Sequence, residues 1–384
     1  MTPQTPNDWD PRAAQVLDDQ IAAYDAMRQR CPVAHSDYLW WSLFRHADVL
    51  RVLEDEKSFS NAASNHLSIP NAMDPPEHTP YREIIDRYFE ADAMSAFEPL
   101  CRNIAEALVR ALPRNDSVEL MEQFAQPFAL RAQCAFMGWP DSLHEPLGHW
   151  IGRNHRATRA GDRSAMAQIA VEFDGHIKQQ LVWRRDAGDK APDDVTSRLL
   201  REHIHGRPLS DEEIVSIVRN WTVGELGTIA ASVGILVQYL AAHPALQIEL
   251  RQRPDALPAA IDEILRLHPP LIANRRVSTC PVEIGGRQIA AGERLTLIWA
   301  SANRDEAVFG DPDHFDPEAN GRHNLLYGAG VHVCPGAPLA RLELRLILQA
   351  LLAGTQEILP APGPPPERAQ FPASGFATLP IRLR

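Results

Sequence analysis

The chain has 384 residues, 45% of which are hydrophobic, and its formal net charge is −12. The apolar content suffices for a large core, whereas the negative charge argues against a nucleic-acid-binding protein, because phosphate contacts need a basic surface. The cysteines are odd in number and widely spaced without a CxxC pair, which argues against a disulfide framework or a zinc ribbon. They are Cys31, Cys101, Cys134, Cys280 and Cys334.

Neither a secretion signal nor a membrane span is predicted. The first residues, MTPQTPNDWDPRAAQ, contain no basic region followed by an apolar one. The most apolar segment, Leu226–Leu240, is too short to cross a bilayer and contains Gly, Ser and Gln. We therefore expect a cytoplasmic protein without membrane contact.

Helical periodicity dominates the chain, and strand patterns come mostly near its end. Amphipathic helices are predicted over residues 12–30, 46–59, 80–89 and 97–112. Strands are predicted over residues 38–44, 275–279, 282–289, 294–300 and 377–384. Since there are no repeats and no convincing linker, the pattern predicts one domain over residues 1–384, mainly α with a small β region.

One helix is predicted to be much longer than the others. Ser210 and Glu213 have the spacing of a capping box, which marks a helix start. The apolar pattern then continues to about His243, where a His-Pro pair ends it. Such a helix measures about 50 Å and crosses a whole domain.

The segment YGAGVHVCPG, residues 327–336, places Cys334 just before an apolar-periodic helix. Pro335 suits the first turn of a helix, so the helix N–H groups and the positive end of its dipole favour a thiolate at Cys334. Gly336 allows the backbone to approach the sulfur, and Gly328 and Gly330 allow a tight turn. A lone thiolate is suited to hold a metal from one side, as in haem iron with one Cys ligand. The alternative is a buried structural cysteine.

This segment resembles the haem-binding signature of the cytochrome P450 family, Phe-Gly-x-Gly-x-His-x-Cys-x-Gly, with Tyr327 in place of Phe. Three further stretches are similar to family motifs and occur in the expected order. They are DPPEHTPYR (74–82), EILR (263–266) and ANRDEAVFGDPDHFDP (302–317). The resemblance covers roughly residues 30–384, and it implies the cytochrome P450 fold with the long helix over the haem.

The resemblance implies haem b as cofactor, with Cys334 as the axial ligand of the iron. It assigns His78, Arg82, Arg276 and His332 to the haem propionates, with Arg275 as an alternative to Arg276. Tyr327, Gly328 and Gly336 then belong to the cofactor site as well.

Glu263 and Arg266 stand three residues apart on a predicted helix. Read alone, they form an exposed ion pair worth a few tenths of a kcal/mol. The resemblance implies instead a buried pair that organises the fold around the cysteine loop. A third member, an Arg in the family, falls on Ala319 here, with Arg322 or His323 as candidate substitutes.

The long helix carries the catalytic candidates and departs from the family pattern. In GELGT, residues 224–228, Thr228 matches the Thr that the family uses in oxygen activation. The acid that normally precedes it is replaced by Gly227, and Glu225 stands where Gly is usual. Because Glu225 and Thr228 are neighbours on the helix surface, Glu225 either replaces the missing acid or faces away into a polar network.

The substrate pocket is predicted from the same resemblance, and its positions are mostly apolar and small. The named positions are Val223 and Gly224 on the long helix, Leu271, Ile272 and Asn274 in the segment 271–274, and Phe376 in the segment 374–377. The loop over residues 61–73 is a further candidate. The arginine-rich segment Arg153–Arg163 either attracts an anionic substrate or is a solvated helix face.

The implied function is that of a monooxygenase that inserts one oxygen atom from O2 into a small, largely apolar molecule, by hydroxylation or oxidative dealkylation. The chain has no Rossmann fingerprint and no iron–sulfur cysteine set, so we expect electrons from a ferredoxin or flavodoxin with its NAD(P)H-dependent reductase. We expect a monomer. The alternatives are an H2O2-driven peroxygenase and a non-catalytic haem sensor.

Overall fold

The structure is a computed structural model that describes residues 6–63 and 66–384. Helices take up 58% of the chain and strands 12%, which confirms a mainly α fold with a small β region. The α-helices are α1 Ala14–Asp18, α2 Gln20–Arg30, α3 His46–Glu54, α4 His78–Asp86, α5 Ala91–Ala111, α6 Gln126–Met137, α7 His144–Ala160, α8 Arg163–Ala187, α9 Val195–Leu199, α10 Asp211–Ala242, α11 Pro244–Gln252, α12 Leu257–Leu267, α13 Trp299–Ala302, α14 Glu306–Phe309, α15 Pro317–Asn320 and α16 Ala337–Gly354.

The β region is built around one five-stranded sheet in the order β1-β2-β10-β7-β3, in which only the β2–β10 pair is parallel. A three-stranded sheet, β11-β14-β4, and three two-stranded pairs complete it within the described residues. The strands are β1 Val33–Ser36, β2 Trp40–Leu43, β3 Phe59–Ser60, β4 Ser117–Glu119, β5 His203–Ile204, β6 Arg207–Pro208, β7 Ala273–Ser278, β8 Val282–Ile284, β9 Arg287–Ile289, β10 Arg294–Ile298, β11 Ile358–Pro360, β12 Glu367–Arg368, β13 Phe376–Thr378 and β14 Pro380–Leu383.

The first helix differs from its prediction. The pattern over residues 12–30 predicts one helix, but the chain forms α1 and α2 with a break at Asp19. The Asp19 carboxylate accepts a hydrogen bond from the Ala22 N–H at 3.1 Å and so caps the start of α2. A capping Asp satisfies a helix N–H that otherwise has no partner, which explains why a break at this point is stable.

Helix α10 begins at the predicted capping box, and the structure confirms both of its hydrogen bonds. Ser210 accepts from the Glu213 N–H at 3.3 Å, and Glu213 accepts from the Ser210 N–H at 2.7 Å. The helix is long and apolar enough to cross a membrane by length and composition alone, but most of its apolar part is buried inside the protein. It is the central core helix.

The largest apolar core lies between α10 and the helices packed around it. Helix α16 packs against both α5 and α10, and its buried face includes Leu339, Leu346 and Leu351. A second apolar cluster lies beside the five-stranded sheet and includes Leu53, Leu295 and Trp299. This arrangement places α10 and the start of α16 on two sides of one cavity.

Candidate active site

A cavity of about 1500 Å³ lies between α10 and the loop before α16. Its wall includes Glu225 and Thr228 from α10 and Cys334 from the loop. Cys334 is exposed, and its exposed surface faces the cavity. The predicted metal ligand and the predicted catalytic residues therefore share one space.

The loop that carries Cys334 folds back on itself through a hydrogen bond from the Cys334 N–H to the Tyr327 carbonyl at 2.9 Å. Gly328 and Gly330 both have a positive φ, of 78° and 69°. At Gly330 a Cβ would lie 2.3 Å from the carbonyl oxygen of Leu53, so only glycine fits there. At Gly336 a Cβ would lie 3.9 Å from the Cys334 sulfur, which is an ordinary contact.

The start of α16 is later than predicted. The helix begins at Ala337 with Gly336 as its N-cap, so Pro335 precedes the helix and Pro338 lies in its first turn. Burial raises the pKa of the Cys334 thiol, while hydrogen bonds from the Gly336 and Ala337 N–H groups lower it in part. The helix start thus acts on the sulfur as predicted, but the effect of burial on the pKa is larger.

Basic side chains line one side of the cavity. His78 and His332 pack edge to face with their ring centroids 4.5 Å apart, and Nε2 of each is buried without a hydrogen-bond partner in the described part of the chain. The acid nearest to His332 is Asp74, at 3.7 Å. Arg276 is only 4% exposed, and its guanidinium donates to the Arg275 carbonyl at 2.8 Å.

This basic cluster fits an anionic group that the cavity would hold. Burial lowers the pKa of Arg276 to about 10 and that of His332 to about 4, because charged forms without a partner are costly in a buried site. Carboxylates would pair with these donors and remove that cost. The two propionates of haem b are groups of this kind, so the residues present fit the cofactor.

Arg82 and Arg275 also line the cavity. Arg82 is already engaged, because it bonds Asp86 at 2.5 Å and the Val333 carbonyl at 2.7 Å. It therefore holds the cysteine loop in place, in addition to facing the cavity. Arg275 is exposed, unlike Arg276, which favours Arg276 as the inner of the two cations.

On the opposite wall, Thr228 donates its hydroxyl hydrogen bond to the Gly224 carbonyl at 2.5 Å. Glu225 lines the cavity and is partly exposed to it. Burial raises the pKa of Glu225, and a hydrogen bond from Glu343 lowers it in part. Glu225 therefore faces the cavity and a second carboxyl group, a combination that neither sequence-based alternative contains.

Glu343 is a residue that the sequence analysis misses. It lies on α16, is completely buried, and has two carboxyl oxygens to which no N–H or hydroxyl group of the described residues donates. The feature of the sequence that could have revealed Glu343 is its position on the apolar face of a helix, four residues after Leu339 and three before Leu346. Its pairing with Glu225 follows only from the packing of α16 on α10.

Glu263 and Arg266 form a buried pair, so the exposed-pair alternative is wrong. Their side chains are 2% and 0% exposed and share two hydrogen bonds, of 2.8 and 2.9 Å. Arg266 also donates to the carbonyls of Asn303 and His314, at 2.7 and 3.2 Å. The pair thus ties α12 to the segment that leads to the cysteine loop.

The third member of this network is Asn320, and not Arg322 or His323 as predicted. The Asn320 side-chain amide donates to Glu263 at 2.7 Å. Asn320 ends the short helix α15, which turns it towards Glu263. Neither Arg322 nor His323 makes a side-chain hydrogen bond to Glu263 in the described residues.

The predicted pocket residues divide into two groups. Val223, Gly224, Leu271 and Asn274 line the cavity. Ile272 and Phe376 do not, which corrects the prediction. Ile272 is 3% exposed and lies just before β7, in an apolar cluster with Ile298 and Ala300. Phe376 packs against the core near Gly234; Phe371 and Pro372 line the cavity from the same C-terminal region.

The segment 61–73 and the arginine-rich segment Arg153–Arg163 differ in how much of each lines the cavity. From residues 61–73, the wall includes Asn61, Ala63 and His66–Ser68, together with Pro70–Ala72. Ser64 and Asn65 lie outside the described residues. Among the described side chains of the arginine-rich segment, Arg163 lines the cavity, whereas Arg153 forms an ion pair with Glu172.

Comparison with known proteins gives one consistent result. The family model for cytochrome P450 matches residues 139–380. Erythromycin C-12 hydroxylase of Saccharopolyspora erythraea is 32% identical over 87% of this chain and 87% of its own length. Cyclomarin C epoxidase of Salinispora arenicola is 31% identical over 85% and 86%. A mutant of P450 EryK in complex with erythromycin B superposes with a TM-score of 0.85 at 29% identity, covering 96% of this chain and 97% of that one.

The fold and the site define a haem-thiolate oxidoreductase. The chain belongs to the cytochrome P450 family and is a cytochrome P450 monooxygenase. The family uses haem b, takes small-molecule substrates and receives electrons from redox partner proteins.

Proposed function

We propose that the protein oxidises a largely apolar organic molecule by inserting one oxygen atom from O2, through hydroxylation or oxidative dealkylation. The observation that carries this proposal is the single cavity that Cys334, Glu225 and Thr228 share. Its volume of about 1500 Å³ exceeds that of an ordinary ligand pocket, about 300–1000 Å³. There is thus room for a cofactor and a substrate together.

The apolar character of the substrate follows from the wall near α10. Phe89, Phe136 and Trp221 form an aromatic cluster there, with ring centroids 5.2–6.4 Å apart, and each lines the cavity. Aromatic side chains bind apolar molecules by burying a large area. A molecule in contact with this cluster lies between α10 and the segment 66–72.

Each residue of the haem site has a distinct role in this proposal. Cys334 binds the iron, and His78, Arg82, Arg276 and His332 hold the propionates. Tyr327, Gly328 and Gly336 form the loop surface beneath the ring, where Tyr327 packs against the Arg341 guanidinium at 4.4 Å. When bound, a haem with a thiolate ligand supplies the oxygen activation, since the thiolate favours O–O cleavage.

The protein's own part in the chemistry is proton transfer at the α10 wall. Glu225 supplies the carboxyl group that transfers the proton, and the Thr228 hydroxyl is the neighbouring group on the same helix face that can pass it on. A positioned acid contributes about 10²–10⁴-fold to such a step. We therefore assign Glu225 and Thr228 as the catalytic residues.

Electrons come from outside this chain in the proposal. We expect a ferredoxin or flavodoxin with its NAD(P)H-dependent reductase, a cytoplasmic location and a monomer built as one domain. Substrate binding is tested by screening apolar compounds against the purified holoprotein and following the Soret band, which shifts when water leaves the iron. Binders are then incubated with O2 and a ferredoxin–reductase pair. Oxygenated product supports the proposal, and binding without any product contradicts it.

A peroxygenase is the second candidate, and the observation in its favour is the carboxyl group of Glu225 on the cavity wall. An acid beside the reacting oxygens can move a proton between the two ends of a peroxide. Turnover of the same substrate with H2O2 and no reductase, at a rate above that with O2 and the redox chain, would favour this candidate. Absence of product with either oxidant would favour the haem sensor.

A further inference from the structure

Two carboxyl groups meet in the protein interior where α10 and α16 pack together. Glu343 is fully buried, and Glu225 is buried on that side while its other side faces the cavity. Oε1 of Glu225 and both carboxyl oxygens of Glu343 receive no hydrogen bond from an N–H or hydroxyl group of the described residues. Among the described residues, the hydrogen bond that remains open to these oxygens is therefore one from a protonated carboxyl to its carboxylate neighbour.

The electrostatics of the pair decide which carboxyl keeps that proton. Burial raises the pKa of Glu343 well above its ordinary value, and the negative charge of Glu225 and the hydrogen bond to Glu225 raise it further. Burial also raises the pKa of Glu225, but the hydrogen bond from Glu343 lowers it. Glu343 is thus the protonated donor and Glu225 the acceptor.

The surroundings offer no positive charge that would stabilise two carboxylates. The negative charge of the pair contributes to raising the pKa of Cys101 on α5, and of Tyr327 and Cys334 on the cysteine loop. No Lys, Arg or His among the described residues contributes to the pKa of either carboxyl group. Two like charges at close range in a low-dielectric site cannot both persist, so the pair holds one proton at neutral pH.

We propose that Glu225 and Glu343 form a one-proton acid pair that feeds protons to the cavity, with Glu343 as the positioning residue that recharges Glu225. The proposal rests on the proposed function, because it names the internal partner of the catalytic acid. The acid pair explains why Gly227 is tolerated at a position where the family pattern has an acid. The acid function has moved to Glu225, and Glu343 supports it from the interior.

The proton balance is simple. Glu343 gives its proton to the Glu225 carboxylate, and Glu225 then releases that proton on the cavity side, to water or to the Thr228 hydroxyl oxygen as that hydroxyl passes its own proton on. The pair then carries two negative charges, and their repulsion draws one proton back from cavity water. No electrons move in this step, and the pair returns to its starting state.

The proton count is tested without turnover, by infrared difference spectra of the holoprotein at neutral pH. Wild type minus the double variant Glu225→Gln/Glu343→Gln should contain one protonated-carboxyl band and one carboxylate band. Wild type minus Glu225→Gln should contain the carboxylate band only, because the protonated Glu343 is present in both proteins and its band cancels. Two carboxylate bands, or two protonated bands, would overturn the pair. Glu145→Gln, at an exposed position on α7, is the matched control and should change neither count at the pair.

The role in catalysis is tested by the product formed per NAD(P)H consumed, with O2 and the redox chain. Glu343→Gln should lower this yield at least about tenfold, which is less than the ~10²–10⁴-fold effect of a positioned acid, because Glu343 acts through Glu225. The double variant should be no worse than Glu225→Gln, because both residues act in one path. Lowering the pH should restore the yield of Glu343→Gln, since Glu225 can then take a proton from solvent; a structural role would lower the yield equally at every pH.

Failure of the proposed function and failure of the acid pair give different experimental results. A wild type that forms no product with O2 or H2O2 removes the proposed function, and the delivery role with it, while the infrared count still decides whether the acid pair exists. An active wild type whose yield is unchanged in Glu343→Gln overturns the delivery role even if the proton count is one.

Discussion

The side-chain amide of Asn320 donates to Oε1 of Glu263 at 2.7 Å and completes the buried network around Arg266. The same oxygen also accepts from Arg266 at 2.9 Å and from the Asp316 N–H at 3.0 Å. Asn320 therefore takes the place that the family pattern gives to the residue at Ala319. A neutral amide suffices, because Arg266 already balances the charge of Glu263.

Replacing Asn320 by Ala should lower the free energy of unfolding by about 1–3 kcal/mol, because a buried acceptor loses one of its donors. Denaturant unfolding of the holoprotein measures this. Arg322→Ala is the control, since Arg322 is exposed and makes no side-chain hydrogen bond in the described residues. An equal loss in Arg322→Ala, or none in Asn320→Ala, would remove Asn320 from the network.

Breaking the central pair should be far more damaging. Glu263→Ala or Arg266→Ala leaves an uncompensated buried charge at a cost of roughly 3–5 kcal/mol. We expect protein that is largely haem-free or insoluble, measured as haem content per polypeptide after purification. Normal haem loading in both variants would show that the pair does not organise the cysteine loop.

The sequence predicts those parts of the molecule that local chemistry determines. The capping box at Ser210 and the tight loop before Cys334 each depend on residues close together in the chain. At Asp19 the local pattern gives the wrong prediction. The amphipathic pattern continues across this residue and predicts one helix, but the Asp19 side chain caps the start of a second helix.

The parts that local chemistry does not determine depend on how distant elements pack. Ile272 is an apolar residue beside pocket positions, but it packs into an apolar cluster with Ile298 and Ala300 from the distant segment around β10. Glu343 and Asn320 acquire their roles from contacts with α10 and α12, which their own segments do not reveal. The catalytic wall was therefore predictable as a set of α10 residues, and its inner carboxyl was not.

Replacing Arg276 by Ala should stabilise the haem-free protein and weaken haem binding in the holoprotein. In the haem-free protein it is a buried cation whose pKa is lowered to about 10 by burial, so Arg276→Ala should raise the free energy of unfolding by on the order of 1 kcal/mol. In the holoprotein the same change removes a propionate partner and should speed haem loss. Arg275→Ala, at an exposed position, should do neither. A destabilised haem-free Arg276→Ala would contradict the assignment.

His268 should make stability depend on pH in the acidic range. Burial, followed by Arg304, Arg368 and His243, lowers its pKa from 6.5 to about 4, against the opposing effect of Asp313. Between these two values the unfolded chain binds a proton that the folded chain does not, so stability is present above 6.5 and is lost as the pH falls towards 4.

The contribution of His268 is at most about 3 kcal/mol. Urea unfolding of wild type and His268→Gln across this pH interval measures it. The variant should lose less stability than wild type as the pH falls. Equal losses in the two proteins would show that another group is responsible.

The central claim is that Cys334 binds the iron of a haem as a thiolate, and the absorption spectrum of the reduced, CO-bound protein tests it most directly. Wild type and Cys280→Ser, which changes another exposed cysteine, should both show the red-shifted Soret band of a thiolate ligand opposite CO. Cys334→Ser should lose that band, whether or not it retains haem. A Cys334→Ser protein that kept the thiolate band would contradict the assignment and with it the account of the site.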